Sequence, residues 1–106
     1  PQMEQNTKRL PTHPGDLLKE ELEVRGISQK QFSSLVGISY TMLNEILNAK
    51  RPVTSDIALI MEAALGINPE MLINMQSRYN MAQARMRPAM TSNLDKIRKL
   101  CASWLL

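Results

Sequence analysis

Apolar residues recur along this chain at helical spacing, and no stretch shows the alternation of a strand. Leu18 and Leu22 lie one turn apart behind His13 and Pro14. A proline suits the first turn of a helix, where its missing N–H has no intrahelical partner. Asp16 adds negative charge near the positive end of that helix, and Gly26 supplies the left-handed residue at which it can stop. In Ile27-Ser28-Gln29-Lys30-Gln31-Phe32, Ser28 and Gln31 have the spacing of a capping box, and Ile27 and Phe32 that of a hydrophobic staple. Phe32, Leu35 and Val36 form one face of a short second helix, which Gly37 ends. Ile38 and Ser39 open a third helix, with Leu43, Ile46 and Leu47 inward and Tyr40, Thr41, Asn44, Glu45 and Asn48 outward.

The remaining helices follow the same punctuation. Thr54 can cap a fourth, whose apolar face draws on Ile57, Leu59, Ile60, Met61, Ala64 and Leu65 before Gly66. Asn68 and Pro69 open a fifth, which Leu72, Met75, Gln76 and Tyr79 carry as far as Arg87-Pro88. Beyond Pro88, Ser92 and Asp95 have the spacing of a further capping box, and Leu94, Ile97, Cys101 and Trp104 follow a 3-4-3 spacing. The pattern predicts an all-α protein of five helices plus an extra C-terminal helix. Its organisation is a flexible N-terminal arm over residues 1–12, a domain over 13–80 and a helical extension over 81–106.

Composition narrows the chemistry. With 106 residues the chain has one domain's worth of core. Aromatics make up only 4%, so leucines and the eight methionines must fill that core. The single cysteine, Cys101, excludes an internal disulfide and a Cys-based zinc site, and its seam position suits a small buried hydrophobe. The single histidine, His13, leaves no inventory for a Ser-His-Asp or metallohydrolase site and sits where a cap or turn residue belongs. No run of eighteen apolar residues appears, and the first residues carry no apolar leader. A cytoplasmic protein without enzyme activity, cofactor, metal or membrane is therefore expected.

Two short amphipathic helices joined through Gly37-Ile38-Ser39 make the arrangement of a helix-turn-helix. Only one face of its second helix is apolar, which frees the N-terminal outer residues to reach base edges in a major groove. Ser39, Tyr40, Thr41, Asn44 and Glu45 are the candidates for base contacts; Tyr40 could equally meet a phosphate, and Glu45 could accept from a cytosine amine or repel phosphate. Gln29, Lys30, Asn48, Lys50 and Arg51 are the candidates for the backbone: Gln29 at a helix N-terminus, Lys50 and Arg51 as cations just beyond the reading helix. On pattern alone, a small helical bundle without this role accounts for the same residues equally well.

The stretch His13-Pro14-Gly15-Asp16-Leu17-Leu18-Lys19-Glu20-Glu21-Leu22 resembles the opening of HigA-type antitoxins. Ile27-Ser28-Gln29, Val36-Gly37-Ile38-Ser39, Leu43-Asn44-Glu45-Ile46-Leu47-Asn48, Lys50-Arg51-Pro52-Val53-Thr54 and Ala58-Leu59 continue the likeness, and Asn68-Pro69-Glu70 through Tyr79 completes it. The resemblance implies a five-helix Cro/C1-repressor-like fold and a homodimer on double-stranded operator DNA. It further implies repression of the chain's own operon and neutralisation of a HigB-like ribonuclease toxin. A stand-alone repressor-like regulator without a toxin is the alternative. Ala49 departs from the family, which usually has glycine after Asn48, so that turn must use a residue with a side chain.

Residues 81–106 lie beyond the resemblance. Leu94, Ile97, Cys101 and Trp104 can pack back on the domain, pair with a second subunit or hold a toxin, and dimerisation is the favoured use because a helix-turn-helix reader needs two half-sites. The charge is uneven. Residues 1–70 hold seven Lys and Arg against nine Asp and Glu, a balance of −2, whereas residues 71–106 hold six against one, a balance of +5. The basic excess thus lies outside the helix-turn-helix, in Arg78, Arg85, Arg87, Lys96, Arg98 and Lys99, where it suits flanking phosphates or a partner.

Overall fold

The computed structural model describes residues 10–105, so most of the expected N-terminal arm (residues 1–9) and Leu106 lie outside the described residues. Among these the chain is all-helical. The order is α1 (Pro14–Val24), α2 (Gln29–Val36), α3 (Tyr40–Leu47), α4 (Ser55–Leu65), α5 (Pro69–Met86) and α6 (Pro88–Leu100), followed by a 3-10 turn over Ala102–Leu105. No helix among them is long and apolar enough to cross a membrane.

The local signals act where the sequence places them. Ser28 Oγ accepts from the Gln31 N–H at 3.1 Å, Ser39 Oγ from Met42 at 3.0 Å and Asn68 Oδ1 from Met71 at 3.0 Å. Each satisfies one of the donors a helix N-terminus leaves open. His13 caps α1 in the same way: its Nδ1 accepts from the Gly15 N–H at 2.9 Å. After α3 the chain turns at Ala49, which has φ of +60°, the single positive-φ residue other than glycine among those described. A side chain in that conformation is strained, so the turn forms against the local preference of alanine.

The core draws on the first four helices and the start of α5: Leu18, Leu22, Phe32, Leu43, Ile46, Leu47, Val53, Ile57, Ala58, Met61, Leu65, Ile67 and Leu72 are buried. Burying a large side chain of this kind contributes about 1.5–3 kcal/mol. Two long-range polar contacts tie the helices together. Arg25 Nη2 donates to Leu65 O at 2.9 Å, so α1's end caps the end of α4. Gln76, buried in α5, accepts from the Val53 N–H at 2.8 Å and donates to Asn80 Oδ1 at 2.9 Å, holding the loop that follows α3. No buried side-chain polar atom among the described residues lacks a partner.

Several expectations need correction. Leu59 and Ala64 do not belong to the inward face of α4 and are exposed, and among the described methionines only Met61 is buried, Met71, Met81 and Met86 being exposed, so leucine and isoleucine fill most of the core. Leu35 does not share the inward face of α2 with Phe32: it is 74% exposed, and the face turned to the core is that of Phe32, Ser33 and Val36. The last helix starts at Pro88, four residues ahead of Ser92. Proline tolerates that first position, and Thr91 Oγ1 donates back to Arg85 O at 3.0 Å and Arg87 O at 3.3 Å. Ser92 therefore sits inside the helix rather than at its cap. Finally, α6 stops at Leu100, so Trp104 belongs to the 3-10 turn and does not continue the helical seam; it is 81% exposed.

Candidate nucleic-acid interface

The α3 helix is anchored from below and open above. Leu43, Ile46 and Leu47 are buried, whereas Ser39, Tyr40 and Thr41 at its N-terminal end are exposed, Tyr40 by 51%. Its C-terminal end is wedged against α1. A Cβ on Gly15 would lie 1.8 Å from Ile46 O, so the two backbones meet where only glycine fits. The Ser39 hydroxyl accepts the Met42 N–H and keeps its own proton to donate.

Two side-chain pairs join α3 to its neighbours. Asn44 Nδ2 donates to Gln29 Oε1 at 3.0 Å across the two helices of the motif. This uses one of the two Asn44 amide protons and leaves its carbonyl oxygen and second proton unspent, while the Gln29 amide group keeps both its donors. Glu45, later on the same helix, holds Arg51: Glu45 Oε1 accepts from Arg51 Nη2 at 2.8 Å and Nε at 3.1 Å. The pair lies at the surface, with 46% of the Arg51 side chain and 37% of that of Glu45 exposed.

The remaining backbone candidates surround this helix. Lys30 on α2 and Lys50 after α3 are exposed and form no ion pair among the described residues. Asn48 turns back on its own helix, donating from Nδ2 to Asn44 O at 2.8 Å. The structure thus brings Gln29 to Asn44 and Arg51 to Glu45, pairs that join a residue assigned to phosphate with one assigned to bases. Spacing along the sequence does not reveal either pairing. Nor does it reveal the partner of Gln76, a polar residue on the apolar stripe of α5. Through Val53 this side chain steadies the loop carrying Lys50 and Arg51.

The C-terminal candidates lie elsewhere. Helix α6 packs on α5 and buries none of its residues. Leu94 and Cys101 are half-buried, and Ile97 is exposed along with Leu100 and Trp104.

Known proteins match both the sequence and this geometry. The family model described as "Helix-turn-helix" matches residues 18–72, which spans the buried core and both helices of the motif. Antitoxin HigA-1 of Vibrio cholerae is 33% identical over 82 residues, covering 76% of this chain and 77% of that protein. An addiction module antidote protein of the HigA family from Coxiella burnetii superposes with a TM-score of 0.69 at 32% identity, covering 86% of this chain and 95% of its own. Antitoxin HigA of Pseudomonas aeruginosa, solved with the higBA promoter, gives a TM-score of 0.69 at 26% identity over 84% of this chain and 92% of its own. The anchored α3, the capped turn before it and the extent of these likenesses agree: the chain belongs to the family of HigA-type helix-turn-helix antitoxins.

Proposed function

We propose that this chain is the antitoxin of a type II toxin–antitoxin system, binding operator DNA as a homodimer, repressing its own operon and neutralising a HigB-like ribonuclease toxin. The observation that carries the DNA half is the open N-terminal end of α3. Ser39, Tyr40 and Thr41 stand exposed there, flanked by the free cations Lys30 and Lys50 on either side in sequence. In this function Ser39, Tyr40, Thr41, Asn44 and Glu45 meet base edges. Gln29, Lys30, Asn48 and Lys50 meet the backbone, the first of these with its amide donors at the start of α2, and Arg51 stands beside them paired with Glu45. The relative solved with promoter DNA supports the DNA-binding half of this reading.

Dimerisation uses the C-terminal face. Ile97 on α6 and Trp104 in the turn after it are exposed apolar residues, with Leu94 and Cys101 half-buried along the same segment, and leaving the exposed ones in water is costly. A second copy covers them and sets two reading helices at one operator, which a single small module needs for useful affinity.

Two assays test the halves separately. A gel shift with the promoter upstream of the chain's own gene, at a stated salt concentration, is expected to show a specific complex at micromolar protein; no complex contradicts the operator role. Co-expression with the small toxin encoded beside the gene is expected to restore growth. Continued arrest alongside a specific DNA complex leaves a stand-alone regulator.

A further inference from the structure

The Glu45–Arg51 pair carries an inference that rests on the DNA-reading function and sharpens it. A carboxylate on the face of a reading helix is repelled by every phosphate near it, so it needs either a strong local partner or a reason to be there. Arg51 is that partner. Both of its contacts, from Nε and from Nη2, fall on the same oxygen, Glu45 Oε1. Oε2 takes no hydrogen bond among the described residues. The intervening turn is tied down by the Lys50 N–H donating to Glu45 O at 2.8 Å and the Ala49 N–H to Ile46 O at 3.2 Å, which fixes where Arg51 leaves the helix.

We propose that Glu45 reads a cytosine through its free Oε2, and that Arg51 is a positioning residue that neutralises and orients this carboxylate instead of holding a phosphate itself. A carboxylate only accepts hydrogen bonds, so in the major groove it needs a base-edge donor. Cytosine offers N4–H beside an apolar C5–H. Adenine offers N6–H beside the acceptor N7, which repels the second lone-pair region of a carboxylate. The favoured pair is therefore C·G, with Arg51 removing the net charge that would otherwise weaken binding to any DNA. Surface ion pairs contribute little to folding, so removing either partner leaves the domain intact and its effect is read on DNA.

The test begins with selection of the purified full chain on a randomised duplex library, followed by anisotropy titrations on the enriched duplex and on its single-base variants at one salt concentration. The wild type is expected to enrich a C·G pair at one position of each half-site. Glu45→Gln is expected to lower the C·G preference at that position and move it toward A·T, which the added amide donors fit, by about five- to a hundredfold in the ratio of the two, and to leave the other positions unchanged. Arg51→Ala is expected to weaken binding about tenfold in the wild-type background and less than about twofold in the Glu45→Gln background. An Arg51→Ala loss of equal size in both backgrounds makes Arg51 an independent phosphate contact and overturns the inference, as does a Glu45→Gln selection with unchanged base preferences. A wild-type chain that enriches no duplex overturns the DNA-reading function and this inference with it.

Discussion

The imidazole of His13 stands edge-on to the ring of Tyr79, with centroids 4.8 Å apart and planes at 85°. The same imidazole caps α1 through Nδ1, so one side chain starts the first helix and packs it on the fifth. The cap requires the neutral ring: a protonated Nδ1 donates and cannot accept the Gly15 N–H. Burial lowers the His13 pKa below its ordinary 6.5, and the nearby Asp16 carboxylate offsets this only in part.

This fixes a sign for the pH dependence of stability. The unfolded chain takes up the histidine proton near 6.5 and the folded chain at lower pH. The stabilisation is thus complete above 6.5 and is lost as pH falls below that value toward the folded pKa. Urea unfolding measured from about pH 8 down to about pH 5 is expected to show stability falling by at most about 1.4 kcal/mol per pH unit from this group. His13→Asn keeps a capping acceptor and is expected to remove that component; an unchanged slope contradicts the role given to His13.

Gly15 meets the carbonyl of Ile46 so closely that no side chain fits. Gly15→Ala is expected to destabilise the protein by about 1–3 kcal/mol in urea unfolding, despite the better helix propensity of alanine. A variant as stable as the parent contradicts the close approach of α1 and α3.

Ala49 presents the reverse case, an alanine at φ of +60°. Ala49→Gly is expected to raise stability by roughly 0.5 kcal/mol, the relief of left-handed strain exceeding the added freedom of the unfolded chain. A loss of about 1 kcal/mol, as for glycine at an ordinary helical position, contradicts the turn.

Lys50 is exposed and unpaired among the described residues, as a cation that meets phosphate must be. Lys50→Ala is expected to weaken binding to specific and random duplexes alike and to lower the salt slope by about one. A changed base preference with an unchanged slope contradicts this assignment.

The starts of α2, α3 and α5 are legible in the sequence because a cap is local: Ser28, Ser39 and Asn68 each bond a backbone N–H three residues ahead, whereas α6 starts at Pro88 with no side-chain cap to mark it. The motif was legible for the same reason, through Gly37, whose φ of +77° ends α2. What stayed hidden is non-local. The Gln29–Asn44, Val53–Gln76 and Arg25–Leu65 contacts join residues 15, 23 and 40 positions apart, and no spacing rule pairs them. The seam through Trp104 failed because helical periodicity was extended past Leu100, where the chain tightens to a 3-10 turn. The base and phosphate assignments rest on chemistry and exposure, with the two side-chain pairs added by the structure.

If α3 reads DNA, Asn44 is the residue on which to see it, because the Gln29 contact holds its amide in place while leaving one donor and the acceptor oxygen for an adenine edge. The decisive measurement is the ratio of affinities for the selected operator and for a random duplex, compared between the parent and Asn44→Ala. The ratio is expected to fall by a factor equivalent to about 1–3 kcal/mol while random-duplex affinity holds. An unchanged ratio would contradict the reading of DNA by α3.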